Sequence, residues 1–217
     1  MENLEQEYRH LLGSKGITYS QYLEKVGVPK KYSHLNYKIY WDQMSEWEQK
    51  LGPEVVKRYQ RIVDVTQKVV SEEKFGMYFY GTNGAGKTSL AVCSLRHFLE
   101  KGKSVARATA QEIIDWYFKN YQGMRSRYTS ADVLLLEEIN KEVNYNSEHA
   151  LKIIEKVVKS REEAGQITFF TANCDVSELE KNYTLTTYNI IKGTTVVAEF
   201  PKVDFRQLQV HAYIQKF

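Results

Sequence analysis

The chain has 217 residues, of which 42% are hydrophobic and 26% charged, with a formal net charge of +3 at pH 7. That leaves room for one good core, or one domain plus a short appendage, and a charge too mild to argue for nucleic acid without local clustering. No apolar run is long enough to cross a bilayer, the first residues lack the pattern of a secretory leader, and Cys93 and Cys174 have no close partners in sequence. A protein of a reducing cytoplasm is expected, with no membrane partner, disulfide framework or zinc site.

Residues 1–28 read as a short helical arm. Leu4, Tyr8, Leu11 and Leu12 fall at helical spacing, with Gly13 as a stop. A second piece, Thr18 to Val26, sets Tyr19, Tyr22, Leu23 and Val26 on one face, and Gly27-Val28-Pro29 breaks it. So short an arm cannot hold a core of its own. It either docks on the main domain or binds a partner. Residues 29–217 read as that domain. Lys30 to Trp41 is basic and aromatic, suited to a base or a nucleic-acid backbone, or to packing its rings beneath the domain.

Glu54 to Val70 is a strong helix, with Val55, Val56, Tyr59, Ile62, Val63, Thr66 and Val69 at helical spacing. Met77 to Tyr80 suits a buried strand and Ser89 to Glu100 a helix. Ser104 to Ala108 is the next strand. Thr109 with Glu112 has capping-box form and opens a helix through Phe118. Val133 to Leu136 is a continuous apolar run, as in a central parallel strand. Glu148 to Glu163 is helical, Gln166 to Thr171 a strand, Ser177 to Lys181 and Tyr183 to Ile191 helices, and Thr194 to Glu199 the last strand. Strands alternating with helices predict an α/β fold, a parallel sheet flanked by helices.

The chemistry is concentrated at three strand ends. Gly81-Thr82-Asn83-Gly84-Ala85-Gly86-Lys87-Thr88, followed by Ser89, fits the phosphate-binding loop G-x-x-x-x-G-K-[S/T] between a strand and a helix. Its glycines let the backbone wrap a polyphosphate, whose charge meets loop amides and a helix N-terminus. Lys87 would reach the β- and γ-phosphates, and the Thr88 hydroxyl would ligate Mg²⁺. The apolar strand at Val133 ends in Glu137-Glu138. Glu137 is expected to support the metal and Glu138 to activate the attacking water. Asp is usual at the first position, and Glu137 is one methylene longer. The strand Thr168-Phe169-Phe170-Thr171-Ala172 ends in Asn173, which can touch a γ-phosphate or the attacking water.

These residues resemble the AAA+ ATPases of the DnaC/DnaI helicase-loader and IstB-like transposition-helper group. Val26-Gly27-Val28-Pro29-Lys30-Lys31-Tyr32, Ser160-Arg161-Glu162 and Val203-Asp204-Phe205-Arg206 also match segments of that group, so the likeness runs from about residue 25 to 210. The resemblance implies ATP or ADP with Mg²⁺ as ligands, Asn173 as sensor 1, Arg206 as sensor 2, and assembly into an ATP-dependent oligomer. It also implies an arginine finger, in a Ser-Arg pair before the last strand. Here the stretch reads Thr186-Thr187-Tyr188-Asn189, so hydrolysis by the lone chain is expected to be slow unless Lys181, Lys192, Arg161 or a partner supplies the charge.

Tyr117 to Tyr128 alternates aromatics and cations, a mix that suits single-stranded DNA, with Lys119, Arg125 and Arg127 as candidate contacts. A surface loop packing its rings on the core is the competing expectation. Three functions are compatible with the sequence: loading a hexameric replicative helicase onto single-stranded DNA, helping a transposase on duplex DNA, or acting as a nucleotide-gated protein adaptor.

Overall fold

The computed structural model describes residues 16–119, 127–139 and 148–208. The helix read around Leu4 to Leu12, and Arg125 of the basic stretch, lie outside them.

Among the described residues, β1 (Gly76–Tyr80), β2 (Val105–Thr109), β3 (Val133–Glu137), β4 (Ile167–Ala172) and β5 (Thr195–Glu199) form one sheet, in spatial order β2-β3-β4-β1-β5. All its pairings are parallel. The expected α/β class and each expected strand are therefore present. The spatial order puts β4 between β1 and β3. The chain leaves these three neighbours on the same edge, so the glycine loop, Glu137-Glu138 and Asn173 are gathered there.

Each strand alternates between two cores. Met77, Phe79, Val133, Leu135 and Phe169 pack on one face, and Tyr78, Leu134, Leu136 and Phe170 on the other. The first face is covered by α5 (Pro53–Glu72) and α6 (Lys87–Glu100), through residues such as Tyr59, Val63, Leu90 and Phe98. Before α5 come α1 (Tyr19–Lys25), α2 (Lys30–Ser33), α3 (Tyr37–Ser45) and α4 (Glu48–Leu51). The second face is covered by α7 (Ala110–Phe118) and α8 (Glu148–Glu163), through Ile113, Ile114, Ile153, Ile154 and Val157.

The described part of the arm docks. Thr18 caps α1 in a capping box with Gln21, and Tyr22, Leu23, Val26 and Val28 are buried in the same core as Phe79 and Leu90. Full burial of a side chain such as Leu23 is worth about 1.5–3 kcal/mol, so these residues secure the arm. Two arginines grip the end of the arm: the Arg127 guanidinium donates to Lys25 O at 3.0 Å, and the Arg107 N–H to Val26 O at 3.2 Å.

Past β4 the expectations need adjustment. The short helix read over Ser177 to Lys181 divides into a 3-10 turn (Val176–Glu178) and α9 (Leu179–Asn182). The helix read from Tyr183 begins later, as α10 (Leu185–Thr194). Tyr183 is extended and buried, and the Thr184 hydroxyl accepts from the Thr187 N–H to cap the helix.

Candidate functional site

The loop after β1 is shaped by its glycines and then tied from behind. Gly81, Gly84 and Gly86 have φ of 141°, 78° and 92°, the region a Cβ disfavours. Space forbids a side chain as well. A Cβ on Gly84 would fall 2.0 Å from an Asp204 carboxylate oxygen, and one on Gly86 would fall 3.0 Å from the Tyr40 hydroxyl. The Tyr59 hydroxyl donates to Ala85 O at 3.0 Å, and the Phe205 N–H to Gly84 O at 3.1 Å. The Tyr59 ring also meets Phe205 edge-on, with centroids 5.5 Å apart. The segment Val203 to Arg206, one of the shorter matches in the sequence, is thus a clamp on the phosphate loop.

Lys87 is buried, and its Nζ donates to Gly81 O at 2.6 Å, Thr82 O at 2.8 Å and Asn173 Oδ1 at 3.0 Å. The third bond joins the loop to the strand-end amide. Burial, with the positive charge of Arg206 nearby, brings the ammonium down to about 8, and Glu138 opposes the shift. Such a lysine gains from an anion that restores its charge.

Glu138 leaves β3 with φ of 58°, an uncommon value for a residue with a Cβ. Its N–H is held by the Thr171 hydroxyl at 3.3 Å. The turn directs it to a cavity of about 530 Å³ that it shares with Lys87, Thr88, Ser89, Asn173 and Arg206. Residues 31–47 also line the cavity, with Tyr32, Leu35, Tyr40, Met44 and Trp47 interspersed with the polar Lys31, His34, Gln43 and Glu46. Within Lys30 to Trp41, Tyr40 is buried beneath the loop, as the packing alternative expected, and Tyr32 lines the cavity. Such a lining offers a cation and loop amides to a polyphosphate and aromatic faces to a flat ring.

Other expected residues lie elsewhere. Glu137 does not line this cavity; Arg107 bonds its carboxylate, through Nε at 2.7 Å and Nη2 at 2.5 Å. The sequence reading missed Arg107. Its signal was a lone arginine in an apolar strand, one pleat period from Val105. Lys119 is exposed just beyond α7, and Arg127 is tied to the arm; neither lines the cavity. Arg161, a candidate finger, is 0% exposed and donates to Tyr128 O, Ala131 O and Ile167 O, so it cannot reach a neighbouring subunit. Lys181 and Lys192 are exposed. In the stretch Thr186 to Asn189, on α10, Thr187 is buried.

Among the described residues no group of three or more His, Cys, Asp or Glu could cage a metal by itself. Mg²⁺ needs no such cage, because it keeps waters and takes phosphate oxygens beside one or two protein ligands. The Thr88 hydroxyl and Glu138 carboxylate, both hard oxygen donors on the cavity wall, fit it. No helix among the described residues is long and apolar enough to cross a membrane.

No family model matches the chain. Over 68 residues it is 35% identical to the chromosomal replication initiator protein DnaA of Aliarcobacter butzleri, a match spanning 29% of this chain and 16% of that protein. Three solved structures share the fold at length. A candidate primosome component from Streptococcus pyogenes superposes with a TM-score of 0.64 at 19% identity, over 82% of this chain and 92% of that one. DnaI superposes with 0.62 at 15% identity, over 82% and 94%. The DnaC helicase loader superposes with 0.55 at 18% identity, over 66% and 90%. The chain thus shares the fold of DnaI and the DnaC helicase loader, the parallel sheet flanked by helices that the resemblance implied.

Proposed function

We propose that this chain binds ATP and Mg²⁺ and acts in DNA replication as a loader of a hexameric replicative helicase onto single-stranded DNA. The observation that carries the reading is the cavity where Lys87, Thr88, Glu138 and Asn173 converge, with Tyr32, Tyr40 and Trp47 also in its lining. Lys87 holds the β- and γ-phosphates, and the loop amides hold the chain of phosphates. Asn173, already bonded to Lys87, senses the γ-phosphate end. Glu138 takes the proton of the attacking water, and Arg206, also in the cavity lining, serves as the sensor 2 cation. Thr88 and Glu138 would hold Mg²⁺, which would supply positive charge to neutralise the negative charge developing on the phosphates. The fold's likeness to DnaI and the DnaC helicase loader supports the replication role over the transposition one.

Hydrolysis by one chain is slow on this reading. Arg161 is committed to the core, and the stretch on α10 that would offer a finger has no arginine. Turnover then awaits self-assembly, with Lys181 or Lys192 of a neighbouring copy as the cation, or a partner. Co-purification with a hexameric replicative helicase in ATP or ADP is the expected outcome, and failure under both nucleotides would overturn the loader assignment. Independently, Glu138→Gln should slow ATP turnover by about 100-fold or more while nucleotide still binds.

A further inference from the structure

Two consecutive acids end β3, and the fold sends them to different places. Strand alternation puts Glu137 on the face of Val133 and Leu135, against α6. On β2 the same face carries Val105 and Arg107. The register sets Arg107 beside Leu135 and Thr109 beside Glu137, which makes Arg107 and Glu137 diagonal neighbours within reach of a long side chain. The guanidinium takes one Glu137 oxygen through both Nε and Nη2, with the two side chains 13% and 5% exposed. Its Nη1 donates to Glu112 at 2.9 Å, and that same Glu112 oxygen accepts the Thr109 N–H at 2.7 Å, closing the α7 capping box. The Arg107 guanidinium is therefore held by Glu112 as well as by Glu137. Glu138, one residue on, turns through a positive φ onto the cavity wall.

We infer that Arg107 is a positioning residue that holds Glu137 out of the metal site, so that Glu138 is the one β3 carboxylate to meet a magnesium nucleotide. The inference rests on the proposed nucleotide site. A carboxylate held in a buried, charge-assisted pair is costly to extract, because Nε and Nη2 of the guanidinium would be left without their acceptor. Mg²⁺ does not require it, since Thr88, Glu138, phosphate oxygens and water complete its shell. Glu137 then serves the fold, by joining β2, β3 and the start of α7.

The test is calorimetric titration of ADP and a non-hydrolysable ATP analogue, with and without Mg²⁺. It compares the wild type, Glu137→Gln, Glu138→Gln and the paired replacement Arg107→Met with Glu137→Met. Glu138→Gln should lose the Mg²⁺-dependent gain in affinity by about tenfold. Glu137→Gln should keep that gain within about twofold while lowering the unfolding midpoint. The paired replacement removes both charges together, so it keeps the measurement available if the single variant folds poorly, and it too should keep the gain. A tenfold rise in the Mg²⁺ needed for half-saturation, in Glu137→Gln or in the pair, would overturn the inference. A wild type that binds neither nucleotide would overturn the nucleotide reading, and this assignment with it.

Discussion

The two ends of the sheet carry the same kinds of charged residue and treat them in opposite ways. At the amino end of β3 and β4, Arg161 is sunk among main-chain carbonyls, and the Asp132 carboxylate takes the Ser104 N–H at 2.8 Å and hydroxyl at 2.6 Å. At the carboxyl end, Lys87, Glu138 and Arg206 face a cavity. In a parallel sheet both ends collect chain turns, but only one has the glycine loop and a helix N-terminus aimed across it. An arginine near a nucleotide fold is thus no sign of catalysis until its partners are known, and Arg107, which is paired with Glu137 at the carboxyl end, makes the same point.

Substitutions can separate the two ends. Arg161→Ala has the largest expected effect: several buried carbonyls lose their donor, costing about 4 kcal/mol, read as a fall in the urea midpoint. Nucleotide affinity of the folded fraction should be unchanged; a parallel loss would break the comparison. Lys87→Ala reverses the pattern. Affinity for ADP should drop about 100-fold, the worth of charge-assisted bonds to phosphate, while the midpoint moves far less than for Arg161→Ala. The smallest effect is on pH dependence. Phosphate binds the charged form of Lys87, whose proton leaves at about 8. Affinity should be level below that pH and fall by up to about tenfold per unit above it. The same group contributes in the other direction to folding. Its proton is held more tightly in the unfolded chain, so this contribution to stability rises with pH from about 8 toward the ordinary lysine range. A flat affinity profile to about pH 10, the ordinary lysine range, would mean that Lys87 does not hold the anion.

Much of the fold and the phosphate site was legible because it is written locally. The strand, glycine loop and helix around Gly81 to Thr88 follow from short-range spacing, as do the limits of α8 and the Thr109 capping box. What was not legible depends on pairing across the sheet. Arg161 looked available as a finger because nothing beside it in sequence shows that carbonyls flanking β3 and opening β4 close around its guanidinium. Glu137 and Glu138 looked like a metal and water pair. Only the β2–β3 register shows that Arg107 reaches the first, and only the backbone turn at Glu138 shows that the second faces elsewhere. The role of Val203 to Arg206 was similarly hidden, since its contact with Gly84 spans most of the domain's length.

The bond from the Arg107 N–H to Val26 O has a consequence for handling this protein. β2 is an outer strand of the sheet, and such a strand offers unpaired main-chain groups to any other chain. The turn at Val26 and Gly27 lies against Arg107 and shields that edge with the protein's own backbone. A fragment trimmed to begin after Pro29 would bare it. Clustering of such a fragment would then reflect a sticky strand, and it should not be taken as support for the nucleotide-driven assembly proposed above.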